Sequence, residues 1–269
     1  MPELPEVETT LRGITPYLQK NRIKKILVYQ PQLRWPVPDS LAQAANLRVS
    51  HLARRGKYII VTTNIGSIII HLGMSGSLRI VDQPFETRKH DHVIFELQNN
   101  KSLVYHDPRR FGTILWSDSP LDHPLLNKLG PEPLSDAFNG ELLFNQSRNK
   151  KVAVKNFIMN GQIVVGVGNI YANEALYHSG IRPGKAAGRV SRLSFEQLAD
   201  NIKTVLADAI DMGGTTLRDF VNSKGEPGYF QQTLNVYGRE GKPCRKCTAI
   251  IKQRTIGQRS TFYCAQCQS

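Results

Sequence analysis

Only four cysteines occur in the 269 residues, and none precedes position 244. A disulfide framework across the chain is thereby excluded, and a reducing, cytoplasmic setting is the expectation. No apolar run approaches the roughly 20 residues of a spanning helix. No secretion or lipidation signal is visible either, so no membrane partner is expected. Internal repeats and low-complexity tracts are also missing, which leaves a chain long enough for two or three small domains. Acidic residues are in short supply: 22 Asp and Glu face 35 Lys and Arg, a net charge of +13. That imbalance points to a polyanionic partner such as nucleic acid. Solubility alone could account for it, but the charge clusters, with seven Lys/Arg and one Glu in Arg239–Ser269.

The chain opens Pro2-Glu3-Leu4-Pro5-Glu6 after Met1. Pro2 is small enough that Met1 is expected to be clipped, exposing a secondary amine. A free α-amino group has a reference pKa of roughly 7.7–8.0, so a useful fraction is unprotonated near neutrality. Such an amine attacks electrophilic carbon, and its product with a sugar carbon is an iminium, an electron sink for later bond cleavage. Leu4, Val7, Leu11, Ile14 and Leu18 form the apolar stripe of a helix. Pro5 suits its first turn, and Glu3 and Glu6 fall on one face beside the proline. In a generic helix these acids simply complement the positive helix end.

From Arg22 to Trp116, short apolar or alternating runs recur: Ile23–Tyr29, Val49–Leu52, Tyr58–Thr63, Ser67–His71, Leu78–Val81, Val93–Leu97, Leu103–Tyr105 and Thr113–Trp116. Turn residues separate many of them, which predicts a β-sandwich or barrel. Leu129–Leu134, with Pro131 and Pro133, reads as a linker. Helical patterns follow at Glu141–Ser147, Val152–Met159, Ile170–Ser179 and Ser194–Met212, the last with a capping box from Ser194 and Gln197. A Gly- and Pro-containing stretch, Gly213–Gly228, comes next.

Cys244-Arg245-Lys246-Cys247, sixteen residues, then Cys264-Ala265-Gln266-Cys267 is the strongest motif. Each pair supplies two thiolates from one tight turn, and four thiolates complete a tetrahedral zinc shell with no open position. The metal is therefore one structural Zn2+, and redox CxxC chemistry is the weaker alternative. The intervening hairpin offers Lys252, Arg254 and Arg259 to DNA, with Arg259 the best phosphate fork. Gly166-Val167-Gly168-Asn169 precedes a helix and suits a phosphate at its start, although an ordinary turn explains it equally. Lys155 and Arg54-Arg55-Gly56-Lys57 read either as phosphate contacts or as solvated charge. His71, His90, Asp91, His92, His106 and Asp107 lack helical HxxxH spacing, and structural hydrogen bonds are expected of them, with a phosphate contact from His71.

With these motifs in hand, the chain resembles the bacterial formamidopyrimidine-DNA glycosylases (8-oxoguanine DNA glycosylases). Further matching stretches are His71–Gly76 (HLGMSG), Asp107–Gly112 (DPRRFG) and Leu129–Pro133 (LGPEP), so the resemblance spans essentially the full length. The sister family, endonuclease VIII, typically begins PEGPE and lacks the phenylalanine matched by Phe111; Leu4 and Phe111 favour the purine-repair branch. The resemblance implies an α+β multidomain fold. An N-terminal β-sandwich with its N-terminal helix would occupy 1–130, a helix–two-turn–helix domain 131–235, and a zinc β-hairpin 236–269. It implies removal of oxidised purines from damaged double-stranded DNA by a monomer in the bacterial cytoplasm, at the nucleoid, followed by β,δ-elimination at the abasic site.

The resemblance also implies residue roles. Pro2 is the nucleophile, Glu3 the general acid at the sugar, and Lys57 completes the catalytic group. Glu6 orients the terminus and Lys155 supports lesion handling. Lys57, His71, Asn169 and Arg259 grip phosphates. Met74, Arg109 and Phe111 fill the void left by the everted base, with Arg109 bonding the orphaned cytosine; core packing is the alternative for Met74 and Phe111. The Gly213–Tyr229 segment matches a loop over the flipped base. Two other readings stay open: a pyrimidine-lesion glycosylase of the endonuclease VIII type, and a non-catalytic zinc DNA-binding protein.

Overall fold

A computed structural model describes residues 2–215 and 233–269. The chain divides into two compact units, Met1–Asn127 with Met212–Tyr229, and Lys128–Asp211 with Phe230–Ser269. Of the Gly213–Tyr229 segment, only 213–215 lie within the described residues.

In the first unit, helix α1 (Leu4–Leu18) follows the apolar stripe, burying Val7, Leu11, Ile14 and Leu18 in the main core. Strands β1 (Ile23–Val28), β2 (His51–Arg55), β3 (Tyr58–Thr62), β4 (Ser67–His71), β5 (Ser77–Asp82), β6 (Asp91–Leu97), β7 (Lys101–His106) and β8 (Thr113–Ser117) come next. They form two antiparallel four-stranded sheets, ordered β1-β6-β7-β5 and β2-β3-β4-β8. One core draws on both, with Ile59, Val61, Ile68 and Ile70 from one sheet and Val93, Phe95, Leu103 and Tyr105 from the other. This is the expected sandwich carrying the N-terminal helix.

Strand β2 runs beyond the predicted Val49–Leu52 because two arginines extend it: Arg54 pairs with Ile59 and Arg55 with Tyr58. A two-residue turn, Gly56-Lys57, closes this hairpin, with Gly56 at φ +57. Arg54 donates through Nε to Glu8 Oε2 at 2.8 Å and through an Nη to the Gly56 carbonyl at 3.0 Å. The arginine therefore ties α1 to the hairpin tip.

The second unit carries α2 (Gly140–Ser147), α3 (Val154–Ile158), α4 (Asn169–His178) and α5 (Arg192–Asp211). Helix α5 begins two residues before the predicted start. Ser191 Oγ accepts the Ser194 N–H at 3.1 Å, so the cap is Ser191 and not Ser194. The apolar pattern concealed this because Leu193 is 64% exposed. Strands β9 (Ile251–Ile256) and β10 (Arg259–Cys264) form the expected hairpin. Its turn, Gly257-Gln258, has both residues at positive φ, +58 and +61, the geometry that suits a twisted two-residue hairpin. A Cβ at position 257 would lie 2.4 Å from the Asn156 side chain, so the turn is seated against α3.

A buried carboxylate fastens the chain entering the hairpin. Glu174 of α4 accepts the backbone N–H groups of Asn235, Val236 and Tyr237 at 2.8–3.0 Å. An unsatisfied buried donor costs about 1–3 kcal/mol. Glu174→Leu should therefore lower unfolding free energy by at least ~3 kcal/mol, read by denaturant titration, while Glu174→Gln, which keeps one acceptor oxygen, should lose less.

Candidate active site

The first unit assembles Pro2, Glu3, Glu6, Lys57, His71, Met74, Arg109 and Phe111; the second carries Lys155, Asn169, Arg259 and the four cysteines. Pro2 and Glu3 are buried, and Glu3 is the N-cap of α1. The Glu3 backbone N–H donates to Glu6 Oε2 at 2.8 Å, one half of a capping box. The other Glu6 oxygen, Oε1, accepts the Thr215 N–H at 2.8 Å. Gly214, at φ +84, lies so near that a Cβ there would sit 3.1 Å from this oxygen. Glu6 thus does more than complement a helix end. It holds the residue next to Pro2 and the last described residues before position 216 on one carboxylate.

Lys57 sits on the β2–β3 turn, beside the cross-strand pair Tyr58–His71. The two rings of that pair lie 4.8 Å apart. His71 Nδ1 accepts the Gly73 N–H at 3.0 Å, leaving Nε2–H as a donor. Burial, then the cations Lys57 and Arg34, push the His71 pKa down to about 4. The ring is therefore a neutral donor near pH 7, and Lys57 supplies the charge. Arg34 was not singled out in the sequence. It lies on the loop after β1, and its own N–H donates to the Gly112 carbonyl at 3.2 Å.

Met74 stands on the β4–β5 turn and is partly buried, whereas Phe111 is 44% exposed. Phe111 is therefore no core residue, and its ring is covered by the Arg109 guanidinium at 4.8 Å. Beneath both turns lies Asp107, fully buried. Its Oδ1 accepts from Ser75 Oγ at 2.7 Å, and its Oδ2 accepts from Tyr105 OH and Gly112 N at 2.9 Å each. His92 Nε2 donates to its carbonyl at 2.8 Å, and His106 Nδ1 meets Asp91 Oδ1 at 2.9 Å. These are the structural hydrogen bonds expected of the histidine and aspartate group.

In the second unit, buried Lys155 donates to Thr261 Oγ1 at 2.7 Å and to the Ser260 carbonyl at 3.1 Å. Asn169, the first residue of α4, donates through Nδ2 to the same carbonyl at 3.1 Å. Ser260 directly follows Arg259, which is exposed at the start of β10. Two side chains from two helices thus hold the strand immediately beside the arginine.

The four cysteine sulfurs all lie within 4.8 Å of one another and form no disulfide. Cys244 and Cys267 sulfurs are 3.9 Å apart, Cys247 and Cys264 3.4 Å. A tetrahedron with Zn–S arms of about 2.3 Å has edges of about 3.8 Å, so the donor set fits one zinc ion. Tyr177 OH lies 3.2 Å from Cys244 Sγ, and the Lys246 N–H points to the same sulfur at 3.4 Å. Such outer contacts fix thiolate direction.

Comparison with known proteins places this geometry. The N-terminal domain of formamidopyrimidine-DNA glycosylase matches residues 1–114, its H2TH domain 129–221, and the zinc finger found in FPG and IleRS 241–269. The chain belongs to the formamidopyrimidine-DNA glycosylase family. A formamidopyrimidine-DNA glycosylase of Alcanivorax borkumensis is 56% identical over 268 residues, covering 100% of both chains. A Lactococcus lactis Fpg complexed with abasic-site DNA has a TM-score of 0.91 at 31% identity, covering 100% of each chain. A MutM complexed with DNA containing carbocyclic 8-oxo-G has a TM-score of 0.91 at 32% identity, again with full coverage. As a formamidopyrimidine-DNA glycosylase, the chain is a base-excision repair enzyme with abasic-site lyase activity and one structural zinc. Among the described residues, no helix is long and apolar enough to cross a membrane.

The neutral state of His71 has a stability consequence. Between pH of about 4 and 6.5 the unfolded chain binds a proton that folded His71 refuses. This group's contribution to stability therefore rises with pH across that window and is lost as pH falls through it. His71→Gln should flatten the slope of Tm against pH there; an unchanged slope would show that the imidazole is not held neutral.

Proposed function

We propose that the chain excises oxidised purines, 8-oxoguanine and formamidopyrimidines, from duplex DNA through the Pro2 nitrogen. The buried Pro2-Glu3 pair, held through Glu6, carries this reading. With Met1 removed, the Pro2 nitrogen attacks the anomeric carbon of the everted nucleotide. The glycosidic bond breaks, and its electron pair leaves with the base, which takes up a proton. Glu3 donates a proton to the sugar ring oxygen as the ring opens, and the product is an iminium between Pro2 and the open sugar. Loss of a proton from the sugar then expels the 3′ phosphate by β-elimination, and a second elimination expels the 5′ phosphate.

The other residues hold the substrate for this sequence. Lys57 and His71 take phosphates near the lesion, one as a charge and one as a neutral donor. Asn169 and Arg259 take phosphates from the second unit, at a helix start and a hairpin strand. Lys155 supports them from beneath by holding Ser260. Eversion costs a few kcal/mol, and Met74, Arg109 and Phe111 offset it by filling the vacated space. Zinc takes no part in bond making; it fixes the hairpin that carries Arg259. The division at residues 130 and 235 into sandwich, helical domain and hairpin is supported by family matches ending at 114 and starting at 129 and 241. The protein acts as a monomer in the bacterial cytoplasm, on the nucleoid.

Borohydride reduction tests the nucleophile. Protein shown by intact mass to lack Met1 should form a covalent adduct with duplex DNA carrying 8-oxoguanine opposite cytosine. Binding without any adduct would leave a DNA-binding protein instead. Pro2→Gly should keep part of the activity through its primary amine. Glu3→Gln should lose roughly 10²–10⁴-fold in excision while its DNA affinity stays unchanged. Faster removal of thymine glycol than of 8-oxoguanine would move the chain to the pyrimidine branch. Cys244→Ser should lose zinc and DNA binding together, measured by metal content and gel shift.

A further inference from the structure

The β4–β5 turn and the loop after β7 are separate in sequence but share one buried hydrogen-bond centre. Every polar atom of Asp107 is occupied there. The carboxylate takes Ser75, Tyr105 and Gly112. The carbonyl takes His92 Nε2 and the Arg110 N–H, the latter at 3.2 Å, and the Asp107 N–H donates to the His90 carbonyl at 3.0 Å. Ser75 then closes the circuit: its Oγ donates to Asp107 and accepts the Arg109 N–H at 3.2 Å. Arg110, at φ +57, turns the chain so that the Arg109 and Phe111 side chains emerge together on the surface.

Glycines bring the two backbones into contact. A Cβ on Gly73, itself at φ +64, would fall 2.4 Å from Phe111 C and Gly112 N. One on Gly112 would fall 1.8 Å from Tyr105 OH and 2.6 Å from the His71 carbonyl. The two loops are thus backed directly against each other and tied by buried bonds. A hydrogen bond to a charged group is worth more than a neutral one, and more again where water is excluded.

We propose that Ser75 and Asp107 are positioning residues that join the Met74 turn and the Arg109–Phe111 loop into one rigid wedge. This rests on the reading that Met74, Arg109 and Phe111 fill the space of the everted base. The Gly73 N–H also donates to His71 Nδ1, which ties this turn to the end of β4. Base eversion and opposite-base reading, not the chemistry at Pro2, are the steps that depend on it.

The test uses full-length, zinc-loaded protein and Ser75→Ala, which cuts the link between the loops by removing the donor to Asp107 Oδ1 and the acceptor of the Arg109 N–H. Duplex DNA carries 8-oxoguanine opposite cytosine, with 2-aminopurine next to the lesion as the fluorescent reporter of unstacking. Ser75→Ala should slow the unstacking phase by roughly 10–100-fold and weaken the preference for cytosine over adenine opposite the lesion. Its β,δ-elimination at a preformed abasic site in single-stranded DNA should match the parent. Ser75→Thr, which keeps the hydroxyl, should restore the fast phase. Asp107→Asn provides a second variant of unchanged shape, and its defect should likewise be confined to duplex substrates.

Phe111→Ala separates the two ideas. If it leaves the unstacking phase intact, the wedge reading itself fails. If it removes that phase while Ser75→Ala behaves as the parent, the wedge stands and the coupling proposal is overturned. An equal loss on single-stranded abasic DNA in Ser75→Ala would also overturn it, because a general folding defect would then be the cause.

Discussion

Residues ahead of a first helix are ordinarily loosely held, yet Pro2 and Glu3 are buried. The Glu6 carboxylate resolves the conflict. It takes the Glu3 N–H on one oxygen and the Thr215 N–H on the other, at 2.8 Å each. Burial raises the strength of both bonds, since a carboxylate accepting backbone N–H groups away from water is not exchanged for solvent at low cost. Helix α1 behind it is anchored along its length by Val7, Leu11, Ile14 and Leu18 in the sandwich core. Placement of Pro2 therefore descends from the packing of two sheets, through a helix, to a single acid.

The rest of the sandwich uses the same economy of means. Arg54 reaches from β2 to Glu8 of α1 and so fixes the hairpin tip bearing Lys57. Burial raises the Glu8 pKa, but hydrogen bonds from Arg54 and Arg12 outweigh it and hold the carboxyl below its ordinary value. Asp107 holds the two turns on which Met74, Arg109 and Phe111 stand. In each case a strand-end loop that would be mobile by itself is bolted to a neighbour by one charged group. Functional side chains can then project from loops and still be held like core residues.

Local features were legible in the sequence wherever a period or a spacing carried them. Helix α1 was found at Leu4–Leu18, as its stripe predicts, and β4 at Ser67–His71. The cysteine spacing likewise led to the zinc cluster. Boundaries slipped where polar residues joined an element through tertiary contacts, as Arg54 and Arg55 do in β2, or where an exposed Leu193 broke the pattern of α5. Glu174 and Arg34 gave no local signal, because their partners lie tens of residues away in the chain. Phe111 could not be separated from a core phenylalanine by sequence period, since exposure is decided by the turn that Arg110 makes.

Lys155 and Asn169 share one acceptor, the carbonyl of Ser260, although they belong to different helices. Its neighbour Arg259 projects outward from the same short segment of β10. A lysine sealed inside the unit is thereby mechanically linked to an arginine at the surface. Altering position 155 would therefore disturb an exposed arginine from within, with no change to any surface side chain.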